Sequence, residues 1–134
     1  MPRAFGTFVL VVNVLFCLLT VWQSGSNPED FASKIGFGIL NAGGFNEVRA
    51  QYSGFFLATG LVCVASLLGW IPRQTSFVLL GTIFGGLLAG RLVSLALNGG
   101  VSGYGPTIIA LYVIDAIGLA LAVAAFAWER TGNA

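Results

Sequence analysis

Apolar residues gather in four long runs, at about 4–22, 52–71, 75–97 and 107–128, and the stretches between them are polar and rich in glycine. Each run has the roughly 20 residues that an α-helix needs to cross about 30 Å of hydrocarbon at about 1.5 Å per residue. The pattern predicts an all-α integral membrane protein, a single membrane domain over 1–134 folded as a bundle of four transmembrane helices. The connection at 23–51 is expected to be a long outer loop. Within it, Asn27-Pro28-Glu29-Asp30 is a helix-start signature, with Asn27 as N-cap, Pro28 at the first helical position and two acids in the positive first turn. A short interfacial helix should follow, with Phe31 and Ile35 on one face, turned to the membrane surface or to the mouth of the bundle. The other connections are short: Ile71-Pro72-Arg73-Gln74 makes a tight hairpin, and an uncharged turn runs from Asn98 to Pro106. The first run has one basic flank, Arg3, as a secretory signal would. Its apolar core is longer than a signal core, and Gln23-Ser24-Gly25-Ser26 follows it in place of an Ala-x-Ala cleavage site, so it reads as a retained helix.

Composition narrows the function classes. With 57% hydrophobic residues, 8% charged residues and a mean hydropathy of +0.91, the chain lies outside the range of soluble domains. Its formal net charge is +1 and its basic residues are scattered, which leaves no footprint for nucleic acid. There is no histidine, so the commonest general base and the commonest transition-metal ligand are both missing. No enzymatic activity, metal or cofactor is expected. Cys17 and Cys63 lie in separate apolar runs with no Cys-x-x-Cys motif, at depths that differ by about 8 Å if the first helix runs outward and the second inward. They are expected to be buried thiols and not a disulfide.

Orientation follows from the basic residues near the span ends. Arg3, Arg73 and Arg130 fall on one side, whereas Lys34 and Arg49 fall on the other beside Glu29, Asp30 and Glu47. Positive charge marks the cytoplasmic side, so both termini are expected in the cytoplasm of a bacterial inner membrane, with the long loop outside. Trp22, Trp70 and Trp128, each at a span end, should anchor the interfaces.

Two features could carry function. The first is a set of small residues at four-residue spacing, Gly54 with Ala58 in the second run and Gly81 with Gly85 and Gly86 with Gly90 in the third, which allow helices to approach closely. The second is charge inside the apolar runs. An arginine in hydrocarbon costs about 2.5–3.5 kcal/mol on insertion scales unless it finds a partner or water, so Arg91 needs a partner. Asp115, with Gly118 and Ala122 on the same stripe of the fourth run, lies at a similar depth, about 9–14 Å from the outer ends. The spacing predicts an Arg91–Asp115 ion pair on the outward half, with Glu47 and Arg49 close above it and Asn46, Tyr52, Tyr104 and Tyr112 as neighbouring polar or wall residues. Such a pair can fix helix register alone, or it can line a wet pocket for a polar or anionic head group.

The motif Asn46-x-x-Arg49-x-x-Tyr52-x-Gly54, followed by Gly90-Arg91-Leu92-x-Ser94 and Asn98-Gly99, resembles a bacterial family of small four-helix membrane proteins catalogued as domain of unknown function 4345. The resemblance covers almost the whole chain. It implies a four-helix membrane bundle and no particular reaction. The expected function is non-enzymatic. First comes an accessory or structural subunit that joins other membrane proteins, or copies of itself, through glycine-rich faces in the lipid bilayer. The alternative is a small carrier or binder of an amphipathic or anionic molecule at Arg91 and Asp115.

Overall fold

The structure is a computed structural model that describes residues 2–131. Among them it is all-helical: α1 (Pro2–Ser26), α2 (Pro28–Lys34), α3 (Ala42–Val48), a π-helical segment (Arg49–Gly54), α4 (Phe55–Leu67), α5 (Arg73–Asn98) and α6 (Pro106–Thr131). Helix α3, the π segment and α4 run on as one rod, and this rod, α1, α5 and α6 are the four helices long and apolar enough to cross a membrane.

The helix boundaries follow local chemistry. The Asn27 side chain accepts from the backbone N–H of Asp30 (3.4 Å) and starts α2. The helix ends at Gly36, whose φ of +82° lets the Phe37 N–H reach back to the Ala32 carbonyl (2.8 Å). The second span begins earlier than the apolar pattern implies. The glycine-rich stretch 42–48 is helical because Asn41 caps it, accepting from Gly44 N–H at 3.1 Å, and because the π segment carries it directly into α4. The second rod therefore starts at 42, ten residues before the expected 52, and the connection 23–51 shrinks to the short helix α2 and its flanks.

Packing is a four-cornered ring in which α1 lies against α4 and α6, and α5 lies along α6. Helix α1 turns inward Gly6, Val9, Leu10, Asn13, Cys17, Thr20 and Ser24, at spacings of three and four that suit a straight bundle seam. Helix α6 answers with Asp115, Gly118, Ala122, Ala125 and Glu129 at the same spacings. Cys17 and Cys63 are both buried and free, and Cys17 packs where a Cβ on Gly60 would sit, at 3.2 Å. The rings of Trp22, Trp70 and Trp128 are exposed near helix ends.

The small residues divide into two groups. Gly81 and Gly85 face α6, with Ala122 and Leu119 opposite, and Gly118 receives the ring of Phe84 so closely that a Cβ there would lie 2.7 Å from its carbons. Gly86 and Gly90 are exposed and meet no neighbour. Gly54 and Ala58 are also exposed, and a Cβ on Gly54 would meet nothing but the Arg49 carbonyl of its own rod, so the expected close packing through this pair does not form. The reason is the face that α4 turns to the bundle: Thr59, Gly60, Cys63 and Ser66 are the buried residues, and Gly54 and Ala58 fall on the opposite side of the rod. The tight fit at Gly118 makes a prediction. Gly118→Ala should cost about 1–3 kcal/mol through overpacking. Adding Phe84→Leu in the same chain should recover part of that, as read by sodium dodecyl sulfate titration in mixed micelles.

Candidate functional site

Helices α4 and α5 are stitched together at their hairpin. Ser66 and Ser76 share a hydrogen bond of 2.7 Å, and Ser76 also donates to the Val62 carbonyl at 3.2 Å. Away from Pro72 the two rods separate, and α3 with the π segment packs on α1 and α2 instead. The wedge so opened is a cavity of about 890 Å³, to which all four rods and α2 contribute. That lies at the upper end of the range for small-molecule sites, about 300–1,000 Å³.

The cavity has an apolar end and a polar end. Phe16, Phe56 and Phe84 form the apolar end, with ring centroids 5.9 Å apart for Phe16 and Phe56 and 6.4 Å for Phe16 and Phe84. Arg91 and Asp115 line the cavity nearer the loops, and Glu47, Gln51, Tyr52 and Lys34 stand on its wall. Helix α2 lies across the mouth: Phe31 and Ile35 line the cavity, and Phe31 packs edge-on against Tyr52 at 4.9 Å.

The charge pair is short and unequally buried. Arg91 Nε donates to Asp115 Oδ2 at 2.6 Å; the Asp115 side chain is 3% exposed and that of Arg91 21%. Tyr112 donates to the Arg91 carbonyl at 2.7 Å, and its ring lies 5.9 Å below the guanidinium carbon. A guanidinium has five N–H donors, and a single carboxylate takes two at most. Among the described residues no other oxygen accepts a hydrogen bond from the Arg91 side chain, so donors remain for an occupant of the cavity.

The structure brings together Arg91, Asp115, Glu47 and Tyr52, as the spacing predicts, but not Asn46 or Arg49. Both of these are exposed and line no part of the cavity, and the Arg49 guanidinium lies over the ring of Phe45 at 5.9 Å. They are one and two residues from the lining residues Glu47, Val48 and Gln51, on faces that the rod turns away. Tyr104 and Tyr112 stack on each other at 6.3 Å and do not line the cavity. The Tyr104 hydroxyl is held by Ser94 (3.1 Å) and Asn98 (3.0 Å), a clasp that ties the 99–105 turn to α5.

A second charge pair lies at the other end of the bundle, and the sequence pattern did not point to it. Arg73 Nη2 is 3.2 Å from Glu129 Oε1 and also donates to Thr7 Oγ1 (3.0 Å) and to the Arg3 carbonyl (3.2 Å). One guanidinium thus joins α1, α5 and α6. Gly6 leaves room for the carboxylate, which a Cβ at that position would overlap. The signal was present: Glu129 continues the three-and-four spacing that starts at Asp115. No group of histidine, cysteine or acidic side chains among the described residues is arranged to hold a metal ion. Comparison of the chain with family models, with curated proteins and with solved structures finds no match, so the likeness to the 4345 family rests on the motif residues alone.

Proposed function

We propose that the protein is a non-enzymatic membrane binder or carrier of a small amphipathic molecule, held with its polar head at Arg91 and its apolar body toward Phe16, Phe56 and Phe84. The observation that carries this reading is the cavity itself: about 890 Å³, aromatic at one end and furnished at the other with an arginine that has donors to spare. A purely structural ion pair would be served by a closed core, which exposes no such volume to the pair. The termini lie in the cytoplasm of a bacterial inner membrane, as the basic flanks suggest, and the cavity then belongs to the outer half of the bilayer, with α2 as an interfacial cover.

Native mass spectrometry of the protein, taken from its own membrane in mild detergent, tests this. The expected result is one amphipathic molecule retained per chain by the wild type, and its loss from Ile108→Trp, which fills the cavity from α6. A wild-type protein that carries no small molecule but a stoichiometric protein subunit would overturn it. That outcome would support the second reading, an accessory subunit or self-associating bundle docked through α5, where Gly86 and Gly90 are exposed with open space before them.

A further inference from the structure

The charges around the cavity specify more than an amphiphile. Four charged side chains line it: Arg91, Asp115, Glu47 and Lys34. Arg91 is neutralised by Asp115 at 2.6 Å, and Lys34 is neutralised from outside the cavity by Asp30, also at 2.6 Å. Glu47 is left, a carboxylate with no ion-pair partner among the described residues. The wall therefore carries no uncompensated positive charge, and its one unbalanced charge is negative. An arginine that binds anions must offer its charge, and this one has already given its charge away while keeping hydrogen-bond donors. An added anion would lie beside Asp115, a buried carboxylate whose only arginine is already shared, with the exposed Glu47 adding further negative charge at the wall.

Resting on the binding reading above, we infer that the occupant's head group is uncharged and rich in acceptor oxygens, as in an ester, carbonyl or polyol, and that the cavity rejects carboxylates of the same chain length. Arg91 donates to those oxygens, and Gln51 and Glu47 can accept from any hydroxyl. The apolar body enters from the bilayer: α3 and the π segment make at most slight contact with α5, and Phe55, at the start of α4, and Leu87, on α5, both line the cavity and are exposed. Asp115 is then a specificity-determining residue, because it cancels the charge that would otherwise select anions.

The test uses full-length protein in phosphatidylcholine nanodiscs, equilibrated at about pH 9, where a fatty acid is ionised. The probes are tritiated monododecanoylglycerol and tritiated dodecanoate, and retention is measured above that of empty nanodiscs. Wild-type protein should hold the glycerol ester about tenfold more tightly than dodecanoate or better. Asp115→Asn should reverse the order, since Arg91 then offers a net charge. Glu47→Gln, on the exposed surface of α3, should raise dodecanoate retention relative to that of the ester. A wild type that prefers dodecanoate, or an Asp115→Asn protein that folds and keeps the wild-type preference, would overturn the inference while leaving the binding reading in place. Retention of neither probe would remove both. Should Asp115→Asn fail to fold, the wild-type preference and Glu47→Gln decide the matter.

Discussion

Arg91→Ala should cost about 3–5 kcal/mol of bundle stability, because it strands a carboxylate that is almost wholly buried. The reverse change, Asp115→Ala, should cost clearly less. The Arg91 side chain is 21% exposed and borders the cavity, so water can take the place of its partner, whereas Asp115 at 3% exposure has no such recourse. The double variant should be more stable than Arg91→Ala alone, since no lone charge remains. These stabilities are measurable by sodium dodecyl sulfate titration of the protein in mixed micelles. Simple additivity in the double would mean that the two side chains do not form an interacting pair, and equal costs for the single changes would mean that water does not take the place of Asp115 beside Arg91.

Arg73→Ala should have an effect of similar size, about 3–5 kcal/mol, for a related reason with a different geometry. Glu129 is 6% exposed, and its Oε1 is a buried oxygen that makes no aligned hydrogen bond even with Arg73 in place. Without the guanidinium, the carboxylate would be buried alone against Gly6, and α1 would lose two hydrogen bonds to α5 at Arg3 and Thr7. Arg73→Lys should rescue little of this, because an ammonium is a point charge and cannot span Glu129, Thr7 and the Arg3 carbonyl as the planar fork does. Arg73→Ala with Glu129→Ala should recover more than Arg73→Lys does. The same titration checks this, together with limited proteolysis near the N-terminus, which should speed up in Arg73→Ala as α1 loosens. A lysine variant as stable as wild type would reduce the network to simple charge attraction.

The two pairs also show what could be read from the chain. The four spans were legible because a membrane helix announces itself by apolar length alone, and Arg91 and Asp115 were legible because charges are rare there and depth can be counted from the span ends. Arg73 and Glu129 were not. Each lies beside an apolar run, where charge is ordinary, and the pair forms because α5 starts at Arg73 and α6 continues to Thr131, past the apolar segments. Helix α3 was hidden by Gly43-Gly44, which reads as a break until Asn41 is seen to cap it. Asn46 and Arg49 group with Glu47 as neighbours in an expected loop; that stretch is helical instead, so adjacent residues point to different faces. Gly54 and Ala58 pair by spacing, which does not say which face meets a neighbour, and nothing in Arg-Ala-Gln-Tyr-Ser-Gly marks the π segment.

The inward stripe of α6 has a consequence for the bilayer. Asp115 and Glu129 are fourteen residues apart on one straight helix, hence about 21 Å along its axis. Counted from the Thr107 end of the apolar run, Asp115 lies about 12 Å deep and Glu129 about 33 Å along, which is the far boundary of hydrocarbon about 30 Å thick. The helix thus acts as a gauge of membrane thickness. In a thicker bilayer the Arg73–Glu129 pair would sink below the boundary, and tilting would shorten the reach of the helix and sink it further, so the distance from Asp115 to Glu129 limits the hydrocarbon that such a bundle suits.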